Sequence, residues 1–82
     1  MKIKANGTVF EGAPQEIVEQ LRKLLLSPAE APDAAGYVQH IQGIYETVTG
    51  EKMLLEGGLD QQIEDMFLYL EYIGILEVLE DE

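Results

Sequence analysis

Apolar and polar residues alternate over residues 2–11 and then give way, after Gly12-Ala13-Pro14, to stretches in which apolar residues recur at helical spacing. Within the alternating stretch, Asn6-Gly7 supplies the two positive-φ positions of a type I′ turn, so a two-stranded hairpin is predicted. With Asn6 and Gly7 as the loop, Ala5 faces Thr8, Lys4 faces Val9, Ile3 faces Phe10 and Lys2 faces Glu11. Ile3 and Phe10 then share the face expected to be buried.

Pro14 followed by Gln15 and Glu16 suits the first turn of a helix, where proline's missing N–H is harmless and acids oppose the helix dipole. The spacing predicts a first helix over residues 14–26, with Ile17, Val18, Leu21, Leu24 and Leu25 inward. Glu19 and Lys23 are set for an i, i+4 pair. Residues 27–32 carry two prolines and read as a stiff connector, too short to divide domains. Asp33 is the expected N-cap of a second helix, closed by Gly50, whose apolar positions are Tyr37, Val38, Ile41, Ile44, Tyr45 and Val48. Gly36 and Gly43 inside it each cost about 1 kcal/mol relative to alanine. They mark either a close approach by another backbone or partner, or positions that are merely tolerated.

Residues 51–56 fit a loop or a short strand. Gly57-Gly58 is a break, and Asp60 is the expected N-cap of a third helix. That helix should turn Ile63, Met66, Phe67, Leu70 and Ile73 inward and leave Leu68, Tyr69 and Tyr72 off the stripe, with Gly74 as its C′ residue. Residues 75–80 could prolong the helix, since Leu and Glu are good helix formers. Gly74 and the β-branched residues after it favour a third strand beside the hairpin. The expected fold is therefore α+β, a small antiparallel sheet packed against three helices in the order ββαααβ, within one domain spanning residues 1–82.

Charge changes this picture by being uneven. The chain of 82 residues has a formal net charge of −11 and an apolar fraction of 46%, enough regularly placed apolar residues to fold. Residues 1–50 hold six acids and four bases, residues 51–82 ten acids and one base, so −9 of the charge lies in the C-terminal third. Such a field repels nucleic-acid phosphates and anionic membranes and attracts basic surfaces, so direct nucleic-acid binding is not expected. No apolar run approaches the roughly 20 residues that span a bilayer, and no apolar stretch follows the lysines of the first residues. A cytoplasmic location without membrane attachment is the default expectation.

Candidate chemistry is sparse. There is one His, His40, one serine, Ser27, and no Cys, so the familiar nucleophile-base triads cannot be assembled conventionally within one chain. A single His without CxxC, HxxxH or HExxH spacing gives no transition-metal site, and no segment has EF-hand, P-loop or GxGxxG spacing. Asp60 with Glu64, and other acids on the third helix, share faces, but exposed carboxylates lack the apolar enclosure that splits their pKa values for acid-base work. Acyl carrier proteins are also acidic and helical. At Gly58-Leu59-Asp60-Gln61-Gln62-Ile63, however, the serine they need is absent, and Ser27 lies in Leu-Ser-Pro, so carrier function is rejected. The expectation is a non-enzymatic protein with no cofactor and no metal site.

The surface remains. Tyr69 and Tyr72, among Glu64, Asp65 and Glu71, have the composition of an interface anchor ringed by charge, unless the tyrosines pack into the core instead. The leading expectation is a protein-interaction module presenting an acidic surface to a basic partner protein or to a second copy of itself, as a homo-oligomer. The alternative is a nucleic-acid mimic, an acidic inhibitor of the kind phages direct against restriction or CRISPR machinery. A carboxylate enzyme is a third class, which requires two acids drawn into one concavity. The opening Lys2-Ile3-Lys4-Ala5-Asn6-Gly7, then Phe10-Glu11-Gly12, Pro14 and Glu16-Ile17-Val18, resembles short uncharacterised bacterial proteins with a similar hairpin and helix start. That resemblance implies a bacterial or phage setting and no particular activity.

Overall fold

A computed structural model describes residues 1–24 and 33–80. The hairpin forms as β1 (Lys2–Ala5) and β2 (Thr8–Glu11), with Asn6 at φ 54° and Gly7 at φ 81°, the left-handed pair that the turn requires. Its register is the one expected from the turn, Ile3 opposite Phe10 and Lys2 opposite Glu11. The C-terminal alternative resolves in favour of a strand: β3 (Leu76–Glu80) pairs antiparallel with the free side of β1, giving the sheet order β2-β1-β3. Gly74 makes this possible. At φ 80° it ends the third helix in a Schellman turn, in which the Gly74 N–H donates to Glu71 O and the Ile75 N–H to Leu70 O, both at 3.0 Å.

The three helices are α1 (Pro14–Arg22), α2 (Ala34–Thr49) and α3 (Leu59–Tyr72). With the strands they give the expected α+β order ββαααβ. One buried cluster draws on every element: Ile3, Phe10 and Leu76 from the sheet, Ile17 and Val18 from α1, Tyr37, Val38 and Tyr45 from α2, and Ile63, Met66, Phe67 and Leu70 from α3. Residues 51–56 form a loop rather than a strand, yet Met53 within it is buried, and its carbonyl accepts a hydrogen bond from Gln42 Nε2 at 2.7 Å.

Several local expectations are corrected. The first helix stops at Arg22, where its bonds tighten and Leu24 N–H donates to Leu21 O. Leu24 is consequently exposed, while Leu25 and the connector lie outside the described residues. Glu19 is taken by Arg22, whose Nε and Nη2 both donate to Glu19 Oε2 at 2.9 and 2.7 Å, and not by Lys23. Asp33 does cap α2, accepting from Gly36 N–H at 2.7 Å, and Gly50 closes it at φ 75°. Asp60, in contrast, is not a cap. Gly58 holds that position, and Asp60 falls one residue inside α3, where its carboxylate favours the positive end of the dipole and accepts from Gln15 Nε2 of α1. At Gly43 a Cβ would meet nothing within 4 Å, so no other part of the described chain makes a close approach there.

Tyr37 shows what burial in this core does to a titratable group. Desolvation raises its hydroxyl above the ordinary value of 10.0. A group whose folded pKa exceeds its unfolded pKa contributes stability that is complete below the unfolded value and is lost as pH rises through the folded one. The stability of the domain should therefore fall as pH climbs above about 10. Tyr37→Phe should flatten that alkaline limb in urea titrations run at a series of pH values.

Candidate functional site

At 100° per residue, an α-helix cannot keep the five residues singled out on α3 together. Glu64 and Glu71 lie within roughly 20° of one another around the axis, on the Asp60 side, whereas Asp65, Tyr69 and Tyr72 fall roughly 80–160° further round, with Leu68 between the two sets. The structure follows this division. Asp65, Leu68, Tyr69 and Tyr72 line one shallow groove of about 490 Å³, together with Tyr45 of α2 and Glu51 and Leu54 of the intervening loop. Glu64 and Glu71 do not line it.

Each wall of the groove has a physical cause. Tyr69 is half-buried, and its ring meets that of Tyr45 edge to face, with centroids 5.4 Å apart and planes at 70°. The Tyr69 hydroxyl accepts the Leu54 N–H at 3.2 Å, which pins the loop to α3. This tyrosine is thus a structural wall as much as a contact surface. Tyr72, one turn on, is 83% exposed, Leu54 is 69% exposed and Leu68 is 47% exposed, so the rim is apolar and open to water. Asp65, half-buried, accepts from Gln61 Nε2 at 2.9 Å, and Glu51 stands exposed on the loop side.

Glu71 serves a different purpose. Its Oε2 accepts the Val78 N–H at 2.8 Å, covering part of the open edge of β3 with a carboxylate. An edge strand protected in this way is a poorer template for pairing with another chain. The charge of the C-terminal third is also less uniform than the sequence suggests, because Glu77 lies opposite Lys4 across the β1–β3 pair. Lys2 meets Glu11 at 3.7 Å on the other side of β1.

Sequence periodicity missed three of the groove residues for identifiable reasons. Tyr45 follows the inward stripe of α2 and reads as core, which it also is, at 3% exposure. Leu54 and Glu51 sit in a loop without periodicity, so no local signal assigns them a direction. Among the described residues, no three His, Cys, Asp or Glu side chains converge as metal ligands do, and no helix is long and apolar enough to cross a membrane. His40 is half-buried on α2, beside Gln39, Gly43 and Thr47. Two carboxylates do border the groove, but Glu51 is solvated and Asp65 is held by Gln61, so the arrangement suits recognition of a cation better than proton transfer. No protein-family model, curated protein or solved structure matches the chain.

Proposed function

We propose that this protein is a non-enzymatic interaction module whose tyrosine groove receives a basic side chain of a partner protein. The observation that carries the reading is Tyr72, 83% exposed and set beside Leu54 and Leu68 in a groove bordered by Glu51 and Asp65. A large exposed aromatic next to other exposed apolar side chains is the composition of a contact surface. Lysine and arginine carry an apolar stem and a cationic head. The stem suits the Leu54 and Leu68 side of the groove, and the head suits an aromatic face or a carboxylate, the former worth about 0.5–1 kcal/mol at an exposed site. The net charge of −11 steers such a partner toward the molecule from a distance.

A titration of the isotope-labelled chain with lysine- and arginine-containing peptides, followed by NMR, tests this. Shift changes should centre on Leu54, Asp65, Leu68 and Tyr72 and weaken with salt. Tyr72→Ala combined with Asp65→Asn should reduce affinity about ten-fold while leaving the fold intact. Shifts concentrated instead on Asp60, Glu64 and Glu71, unaffected by the double variant and abolished by competing oligonucleotide bound to a basic protein, would favour the nucleic-acid mimic.

A further inference from the structure

A second concavity, of about 270 Å³, is lined by residues of α2, of the C-terminal end of α3 and of the Ala5 and Leu76 ends of β1 and β3. Ala5 and Leu76 of the sheet, Tyr37 and Ile41 of α2 and Leu70 of α3 all line it. None of the described residues lining this cleft carries a formal charge, although the chain as a whole stands at −11. Its rim is formed by three apolar side chains that project into water: Val48 at 70% exposure, Ile75 at 55% and Ile44 at 44%. α2, which supplies two of them, has Glu46 as its single carboxylate and neither Lys nor Arg.

We propose that this cleft and its rim form a self-association surface through which two copies of the chain pack across a two-fold axis. An isologous contact demands one patch that carries both projection and recess, so that each copy gives what the other receives. Ile44, Val48 and Ile75 are the projections and the cleft beside them is the recess. A cavity of about 150 Å³ already holds a benzene ring, so the recess has room for aliphatic side chains. Charge selects the occupant. A basic partner finds no carboxylate among the described residues of this lining to recognise. A second copy, itself strongly acidic, is repelled wherever acids face one another within a Debye length of about 8–10 Å, which leaves a charge-free patch as its favourable approach. A chain of this size with no Cys also gains stability from burying such a patch. The cleft shares the buried Tyr45 with the tyrosine groove, but its exposed rim residues are different ones, and the contact does not rest on the groove's proposed role.

Sedimentation equilibrium of the full chain, from micromolar to millimolar concentration and at low and high salt, tests the proposal. The expected result is a monomer–dimer equilibrium that tightens as salt is added, because screening relieves the repulsion between like-charged copies. Val48→Asp and Ile75→Asp, both at exposed positions that should not disturb folding, should each weaken the dimer about ten-fold or more by burying an unpaired carboxylate in the contact. Val48→Leu should preserve the dimer, and so should Tyr72→Ala. A chain that stays monomeric up to millimolar concentration overturns the proposal, as does a dimer indifferent to both aspartates or one dissociated by Tyr72→Ala. Saturable binding of the neutral dye N-phenyl-1-naphthylamine to a monomeric chain, abolished by Val48→Asp, would assign the cleft to a foreign apolar ligand and likewise overturn it.

Discussion

Phe67→Ala should remove a large part of the stability of this domain. Phe67 is fully buried on α3, on the face it shares with Ile63, Met66 and Leu70, and is among the largest side chains entirely withdrawn from water. Truncating such a residue costs the transfer free energy of the ring and leaves a cavity that a packed core refills only in part, together about 3–5 kcal/mol. A domain of this length has roughly 4–12 kcal/mol in all, at 0.05–0.15 kcal/mol per residue. The variant should consequently be near its unfolding midpoint without denaturant, or well below the parent in urea. Leu68→Ala, one residue along and 47% exposed, is the matched control and should cost under about 1 kcal/mol. Equal losses for the two variants would falsify the assignment of the α3 core face.

The second large effect is expected at Gly74. Gly74→Pro forces φ from +80° to about −65° and removes the N–H that donates to Glu71 O. Loss of the left-handed conformation costs about 1–3 kcal/mol and the lost hydrogen bond about 0.5–1.5 kcal/mol, so roughly 1.5–4.5 kcal/mol in sum. The consequence should be local before it is global. The turn directs the chain from α3 back along β1, and without it β3 cannot hold its register, so Ile3 loses its cover by Val78 while its pairing with Phe10 remains. Hydrogen exchange should show amides of β1 and β3 exposed ahead of those of α1 and α2. Unaltered protection of the β1 amides would show that β3 pairing does not depend on this turn.

Local chemistry made much of the fold legible. Asn6-Gly7 can satisfy its turn in one way, and because side chains alternate with period two, that turn fixes the hairpin register for all four pairs. The inward residues of α3 follow from a stripe in which Ile63, Met66, Phe67 and Leu70 recur at helical spacing. Boundaries were less legible. Asp60 has the side chain of an N-cap, yet the helix begins two residues after Gly57, whose φ of 84° turns the chain and leaves Gly58 in the capping position. Nothing local distinguishes the two choices, since both place the same residues inward.

Sequence by itself determined the hairpin and its register, the three helices that follow, the absence of thiol chemistry and the location of the acidic charge, while leaving residues 75–80 open between strand and helix. These depend on residue type and on separations of a few positions, where backbone geometry leaves few options. The tertiary structure alone decided that β3 pairs with β1, that Glu71 covers a strand edge while Asp65 borders a groove, and that Tyr45 and Leu54 join Tyr72 from separate segments. It also left Ile44 and Val48, which share the apolar period of α2, largely outside the core, although Tyr45 beside them is buried against Tyr69. Periodicity states which way a side chain points along its own helix. Whether another element is there to meet it depends on contacts between residues far apart in the chain, and that is a property of the assembled fold.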